Sequence, residues 1–111
     1  MKKSAGVKLL LATGIFLAFS GVAQAAGDAE AAKAKISMCI GCHGIEGYRT
    51  AYPSVYHVPK LGGQHEFYLA KALRDYRSGD RNHPQMTAIA ATLSDQDIED
   101  LAAYYAGGAG N

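Results

Sequence analysis

The sequence predicts an all-α domain of about four short helices joined by long irregular loops. No segment alternates strictly between apolar and polar residues, β-branched residues are sparse, and the periodicity that does occur is helical. Asp28 suits an N-cap for the first helix, with Ala29, Ala32, Ile36 and Cys39 along one face. Gly41, Gly44, Gly47, Pro53 and Pro59 then mark a loop. Gln64 to Ser78 reads as the second helix, with Leu69, Leu73 and Tyr76 as its apolar stripe and Gly79 where a C-terminal cap belongs. Arg81 to Gln85, which holds Pro84, is a connection, and Met86 to Thr92 makes a short third helix. Ser94 opens the last helix: its hydroxyl can accept from the third helical residue, and Asp95 and Asp97 suit the positive end of the helix dipole. Ile98, Leu101, Ala102 and Tyr105 then fall on one side at i, i+3, i+4 and i+7. The glycines Gly107, Gly108 and Gly110 end it.

The chain has 111 residues, enough for one small domain. Its start reads differently from the rest. Lys2, Lys3 and Lys8 precede an apolar run from Leu9 to Phe19, and Ala23 and Ala25 then stand in A-x-A spacing. That is the layout of a secretory signal peptide over residues 1–25, with cleavage expected after Ala25. A retained anchor would need about 20 apolar residues to span a bilayer, more than this run supplies. The remaining domain, 26–111, keeps eight of the eleven basic residues against all ten acidic ones, a net charge of −2. A mildly acidic surface argues against nucleic acid as a partner. A domain of this size is marginal on apolar packing alone and gains from a staple, whether a disulfide, a metal or a large cofactor.

The chemistry concentrates at Cys39-Ile40-Gly41-Cys42-His43, the C-x-x-C-H pattern of covalent haem attachment. In that arrangement the thiols of Cys39 and Cys42 add to the two vinyl groups on one edge of the porphyrin. His43 then offers a ring nitrogen to the iron as its proximal ligand. A redox dithiol would normally sit at a strand-to-helix turn, and no strand is evident. A zinc site would need further Cys or His ligands, and His57, His65 and His83 lack the grouping for it. The long middle loops carry few apolar residues of their own, and a haem would fill the space beneath them.

The iron then takes a sixth ligand or stays open. Met1 leaves with the signal peptide and Met38 adjoins Cys39, so Met86 is the methionine placed to cross to the far face of the ring. His/Met ligation raises the reduction potential and closes the iron to small ligands, as a carrier requires. On the residues alone, Met86 as a core filler, a histidine ligand or an open site remain alternatives.

Four blocks resemble the class I c-type cytochromes, and among them the small monohaem periplasmic carriers of the cytochrome c-553 kind, whose domain also occurs doubled in dihaem tandem relatives. They are Cys39 to Gly44, Pro59 to Gln64, Tyr76 to Arg81 leading to Met86, and Leu93 to Asp97 leading to Ala102-Ala103-Tyr104-Tyr105. The resemblance implies the class I cytochrome c fold wrapped around one covalently attached haem c per chain. It implies Met86 as the distal iron ligand opposite His43, and Pro59 as the residue whose carbonyl accepts the proximal ring N–H. It implies Leu61 against the ring, and a close crossing of the first and last helices with Ala32 or Ile36 against Tyr104 or Tyr105. Two departures stand out: a longer loop over Tyr48 to Val58, which bears on haem exposure and docking, and His83-Pro84 just before Met86, where His83 is a minor rival for the iron because Pro84 limits how that stretch bends.

Lys71, Arg74, Arg77 and Arg81 recur at roughly helical spacing with Asp75 and Asp80 interleaved, the pattern of a solvated face. Sharper readings give Arg81 or Tyr76 a haem propionate to bond, or the basic face an acidic redox partner to steer. No acid–base carboxylate pair, matched nucleophile or phosphate loop occurs, so the expectation is a carrier and not an enzyme. The expected protein is a periplasmic, monomeric electron-transfer protein with no stable membrane insertion after signal cleavage. Its expected partners are a membrane cytochrome complex, an oxidase, a reductase or a periplasmic dehydrogenase. The alternatives are a haem subunit held permanently in a larger oxidoreductase complex, and an open-site haem protein that binds small ligands.

Overall fold

Asp28 begins the helical part of the chain as the sequence predicts, its carboxylate accepting from the amides of Glu30 at 2.9 Å and Ala31 at 3.2 Å. The computed structural model describes residues 26–52 and 55–108. The expected signal peptide, its cleavage point and Pro53 lie outside the described residues. The elements are α1 (Ala29–Ala32), α2 (Ser37–His43), α3 (Glu66–Ser78), α4 (Pro84–Ala90) and α5 (Asp95–Ala106). Among the described residues there is no strand, and one isolated antiparallel bridge joins Arg49 to His57.

The first expected helix divides into α1 and α2. The amides of Lys33, Ala34 and Lys35 bond carbonyls three residues back, at 3.2, 3.4 and 2.8 Å, which tightens the path into a 3₁₀-like turn. The turn still delivers Ile36 and Cys39 to the core. α3 starts two residues later than the pattern suggests, because His65 is extended, and ends on Gly79 in the left-handed conformation at φ 91°. α4 starts two residues earlier than expected: Pro84 occupies its first turn, where a missing N–H costs nothing. At α5 the capping box is complete, with the Asp97 amide donating to Ser94 Oγ at 3.1 Å and the Ser94 amide to the Asp97 carboxylate at 2.9 Å.

α5 is the hub. It packs against α1 on one side and α3 on the other, and α3 also packs against α4. The core is Ala32, Leu69, Ala70, Leu93, Ile98, Leu101, Ala102 and Tyr105, with Ile36, Leu61, Leu73 and Tyr104 packed onto it. Ala32 and Ile36 thus meet the same cluster as Tyr104 and Tyr105 at the crossing of the chain's two ends. The closest approach there belongs to Gly27: a Cβ on it would lie 2.1 Å from the Glu99 carbonyl oxygen and 2.9 Å from Ala103 Cβ. The neighbouring Asp28 amide donates to buried Asp100 at 2.7 Å, and Gln96 donates to the same oxygen at 2.8 Å. The Asp28 amide first, and Gln96 second, hold the Asp100 carboxyl below its ordinary pKa.

The basic residues of α3 are spent on neighbours. Lys71 pairs with Asp75, Arg74 with Glu99, and Arg77 with Asp95 while also donating to the Leu93 carbonyl at 3.1 Å. Two of these pairs tie α3 to α5, so most of this face is neutralised where it stands.

Candidate functional site

In α2, Cys39, Cys42 and His43 stand at i, i+3 and i+4, which puts all three on one face of a short helix. That face opens onto a cavity of about 400 Å³, whose walls also come from the loop after α2, α3, α4 and the inner side of α5. Its apolar lining includes Leu61, Leu69, Leu73, Ile89, Leu93 and Leu101. The seven residues singled out from the sequence, Cys39, Cys42, His43, Pro59, Leu61, Arg81 and Met86, all line this one space.

His43 closes α2, and its Nδ1 lies 2.7 Å from the Pro59 carbonyl oxygen. A carbonyl only accepts, so Nδ1 carries the proton, and the neutral ring keeps its lone pair on Nε2. Met86 is half-buried in the first turn of α4. Cys39 and Cys42 are free thiols, both partly buried. Burial pushes the Cys39 thiol pKa up, partly offset by the Tyr105 hydroxyl beside it. Burial, and then the Cys39 thiol, push the Tyr105 hydroxyl up in turn. That hydroxyl is fully enclosed and makes no hydrogen bond of proper geometry among the described residues.

Arg81 stands at the rim. Its guanidinium lies 4.9 Å from the Tyr76 ring centroid and donates to the Tyr68 hydroxyl at 3.4 Å, leaving further N–H donors free of these contacts. Tyr68 and Tyr56 line the cavity although sequence reasoning gave neither a role. Their only signal was aromatic residues beside the recognised blocks. His83, weighed from sequence as an iron ligand, is instead the N-cap of α4, its Nδ1 accepting from the Met86 amide at 3.3 Å. Its position just before a first-turn proline could have shown this, but histidine is not among the usual caps.

Haem c fits these residues. The donor set is two thiols at attachment spacing, one imidazole with its outer nitrogen unprotonated, and one thioether. The cleft they line is apolar where a macrocycle would lie. The core around it is thin: Ile98 and Leu101 are the largest side chains wholly enclosed. Among the described residues no group of three or more His, Cys, Asp or Glu side chains gathers to hold a bare metal ion, whereas haem iron needs two protein ligands at most.

Comparison with known proteins gives the same answer. The chain is 44% identical over 99 residues to cytochrome c4 of Pseudomonas aeruginosa, covering 89% of this chain and 47% of that protein. It is 46% identical over 83 residues to cytochrome c-554(548) of Halomonas halodenitrificans, covering 72% of this chain and 95% of that one. The crystal structure of reduced recombinant cytochrome c4 from Pseudomonas stutzeri superposes with a TM-score of 0.51 at 36% identity, over 75% of this chain and 52% of that chain. The chain therefore spans about half the length of the cytochromes c4 it matches. The cytochrome c family model matches residues 29–106, from the start of α1 to the end of α5. With the C-x-x-C-H pentapeptide inside that span and the helical fold around it, the chain belongs to the cytochrome c family, as a class I c-type cytochrome with covalently bound haem c.

Proposed function

We propose that this protein carries single electrons in the periplasm on one low-spin haem c, with His43 as proximal and Met86 as distal iron ligand. The observation that carries the reading is the convergence of Cys39, Cys42, His43 and Met86 on one apolar cavity. The sequence holds two cysteines and one C-x-x-C-H, which provides for one haem per chain. The match to nearly the whole of cytochrome c-554(548) is in keeping with that reading. The apolar run and A-x-A spacing of residues 1–25 support export, and no helix among the described residues is long and apolar enough to cross a membrane.

When bound, haem c supplies a one-electron iron couple. The chain's residues set how it behaves. Pro59 takes the Nδ1 proton of His43 in a hydrogen bond, which fixes the tautomer and aims Nε2. Met86 offers a soft thioether, which as a ligand would favour reduced iron and raise the potential. Leu61, Leu69 and Leu73 line the cleft and would exclude water from a bound ring. Arg81 at the rim has donors for a propionate. Partners of the reading are a membrane cytochrome complex, an oxidase, a reductase or a periplasmic dehydrogenase, met briefly by a monomer.

The test is ligand access. The ferric protein should show the weak methionine–iron charge-transfer band at the red edge of its spectrum, and the ferrous protein should bind carbon monoxide poorly. Met86→Ala should abolish the band, admit carbon monoxide and lower the reduction potential. Fast carbon monoxide binding by the parent protein, or an unchanged spectrum in Met86→Ala, removes Met86 from the iron.

A further inference from the structure

His83 occupies a position that neither the cofactor nor the core explains. It is the N-cap of α4, the helix that carries Met86 in its first turn. The link runs both ways: the Met86 amide donates to His83 Nδ1 at 3.3 Å, and the His83 amide donates to Thr87 Oγ1 at 3.2 Å. Such reciprocal bonding is the logic of a capping box built with an imidazole in place of a hydroxyl. A ring nitrogen that accepts an amide proton is unprotonated, so the neutral ring carries its proton on Nε2. In that state neither nitrogen has a lone pair to give the iron.

The choice of histidine has a second consequence. A serine or asparagine would cap the helix and stop there. The imidazole reaches on to Tyr56, with ring centroids 4.4 Å apart and planes tilted by 58°. Tyr56 is itself pinned: its amide donates to Thr50 Oγ1 at 2.9 Å and its carbonyl accepts from the Thr50 amide at 3.0 Å. Thr50 is buried, and the Val58 amide donates to the Tyr48 carbonyl at 3.1 Å beside it. Tyr56 and His83 both line the cavity beside Met86.

We infer that His83 is a positioning residue for Met86: braced against Tyr56, which Thr50 pins, its imidazole holds the Met86 backbone amide and so governs how firmly the thioether stays on the iron. The inference rests on the proposed His/Met ligation and adds the part that secures it. It also gives the long 48–58 loop a purpose, as the buttress of the helix that bears the distal ligand.

The experiment uses the haem-loaded ferric protein, imidazole as the displacing ligand, and the methionine–iron band as the readout. His83→Ala and His83→Phe both remove the acceptor, and His83→Phe keeps a ring against Tyr56. Both should raise the apparent affinity for imidazole about five-fold, the range a helix cap is worth, because the methionine-off state becomes more populated. His83→Asn restores a cap acceptor and should return the affinity to within about two-fold of the parent. Unchanged affinity in both His83→Ala and His83→Phe, or an equal rise in His83→Asn, overturns the inference while leaving the ligation standing. A parent protein without the band removes the ligation itself, and this inference with it.

Discussion

Tyr105 is the residue whose chemistry is least comfortable. Its ring belongs to the core and stands edge-on to Tyr104, with centroids 5.1 Å apart, while its hydroxyl is sealed off beside the Cys39 thiol with no hydrogen bond of proper geometry among the described residues. An enclosed polar group without a partner costs on the order of 1–3 kcal/mol, and removing it leaves the ring's packing in place. Tyr105→Phe in the haem-loaded protein is therefore expected to hold or raise stability, by up to about 1 kcal/mol, in denaturant unfolding. A loss of about 2 kcal/mol would mean that the hydroxyl finds a partner once Cys39 is a thioether and the cavity is filled. His43 is the contrasting case at the same scale. Its Nδ1 proton is committed to the Pro59 carbonyl, so the ring's one free lone pair is the one the iron would use.

Among the elements, the contact of α1 with α5 carries the most geometric strictness, and Gly27 marks it. A methyl group there would meet the Glu99 carbonyl oxygen, a backbone atom that cannot swing aside. The chain would have to open this contact or shift the Asp28 amide off Asp100. Gly27→Ala is expected to cost about 1–3 kcal/mol in denaturant unfolding, the range for overpacking a tight site. A cost below about 0.5 kcal/mol would show that the N-terminal segment lifts away freely. This contact also shows where the sequence stops being readable. The Ser94 box, the Asp28 cap and the Gly79 cap were legible because donor and acceptor lie within a few residues. Cys39, Cys42 and His43 were legible because attachment demands a fixed local spacing. Gly27 gave no signal because the atoms that exclude its side chain lie at the other end of the chain. The capping role of His83 gave no signal for a related reason: its cap is local, but the Tyr56 ring that makes histidine suitable is reached only through the fold. The early start of α4 followed from that cap, and the split of the first helix from three tightened hydrogen bonds that no periodicity encodes.

For the whole molecule the deciding quantity is the space at its centre. Helices α1 and α3 pack on α5, yet α2, α3, α4 and α5 leave between them a cavity of about 400 Å³, open on one side. Apolar walls left facing such a cleft forgo the stabilisation that burial would give them, about 25 cal/mol per Å². Without a filling group the lining leucines and Ile89 stay wet through the open side. The whole stability of an ordinary domain is only about 5–15 kcal/mol, so unburied walls on this scale weigh heavily in the unfilled chain. Covalent attachment answers this by making the macrocycle a part of the core that cannot dissociate. A chain carrying Cys39→Ser and Cys42→Ser, and so lacking attached haem, is expected to show weak helical circular dichroism and no sharp thermal transition. The loaded protein should unfold cooperatively in the same buffer. A haem-free chain that melts in one sharp step within about 10 °C of the loaded protein would mean that the helices hold the cleft open unaided. The haem would then occupy a finished scaffold instead of completing one.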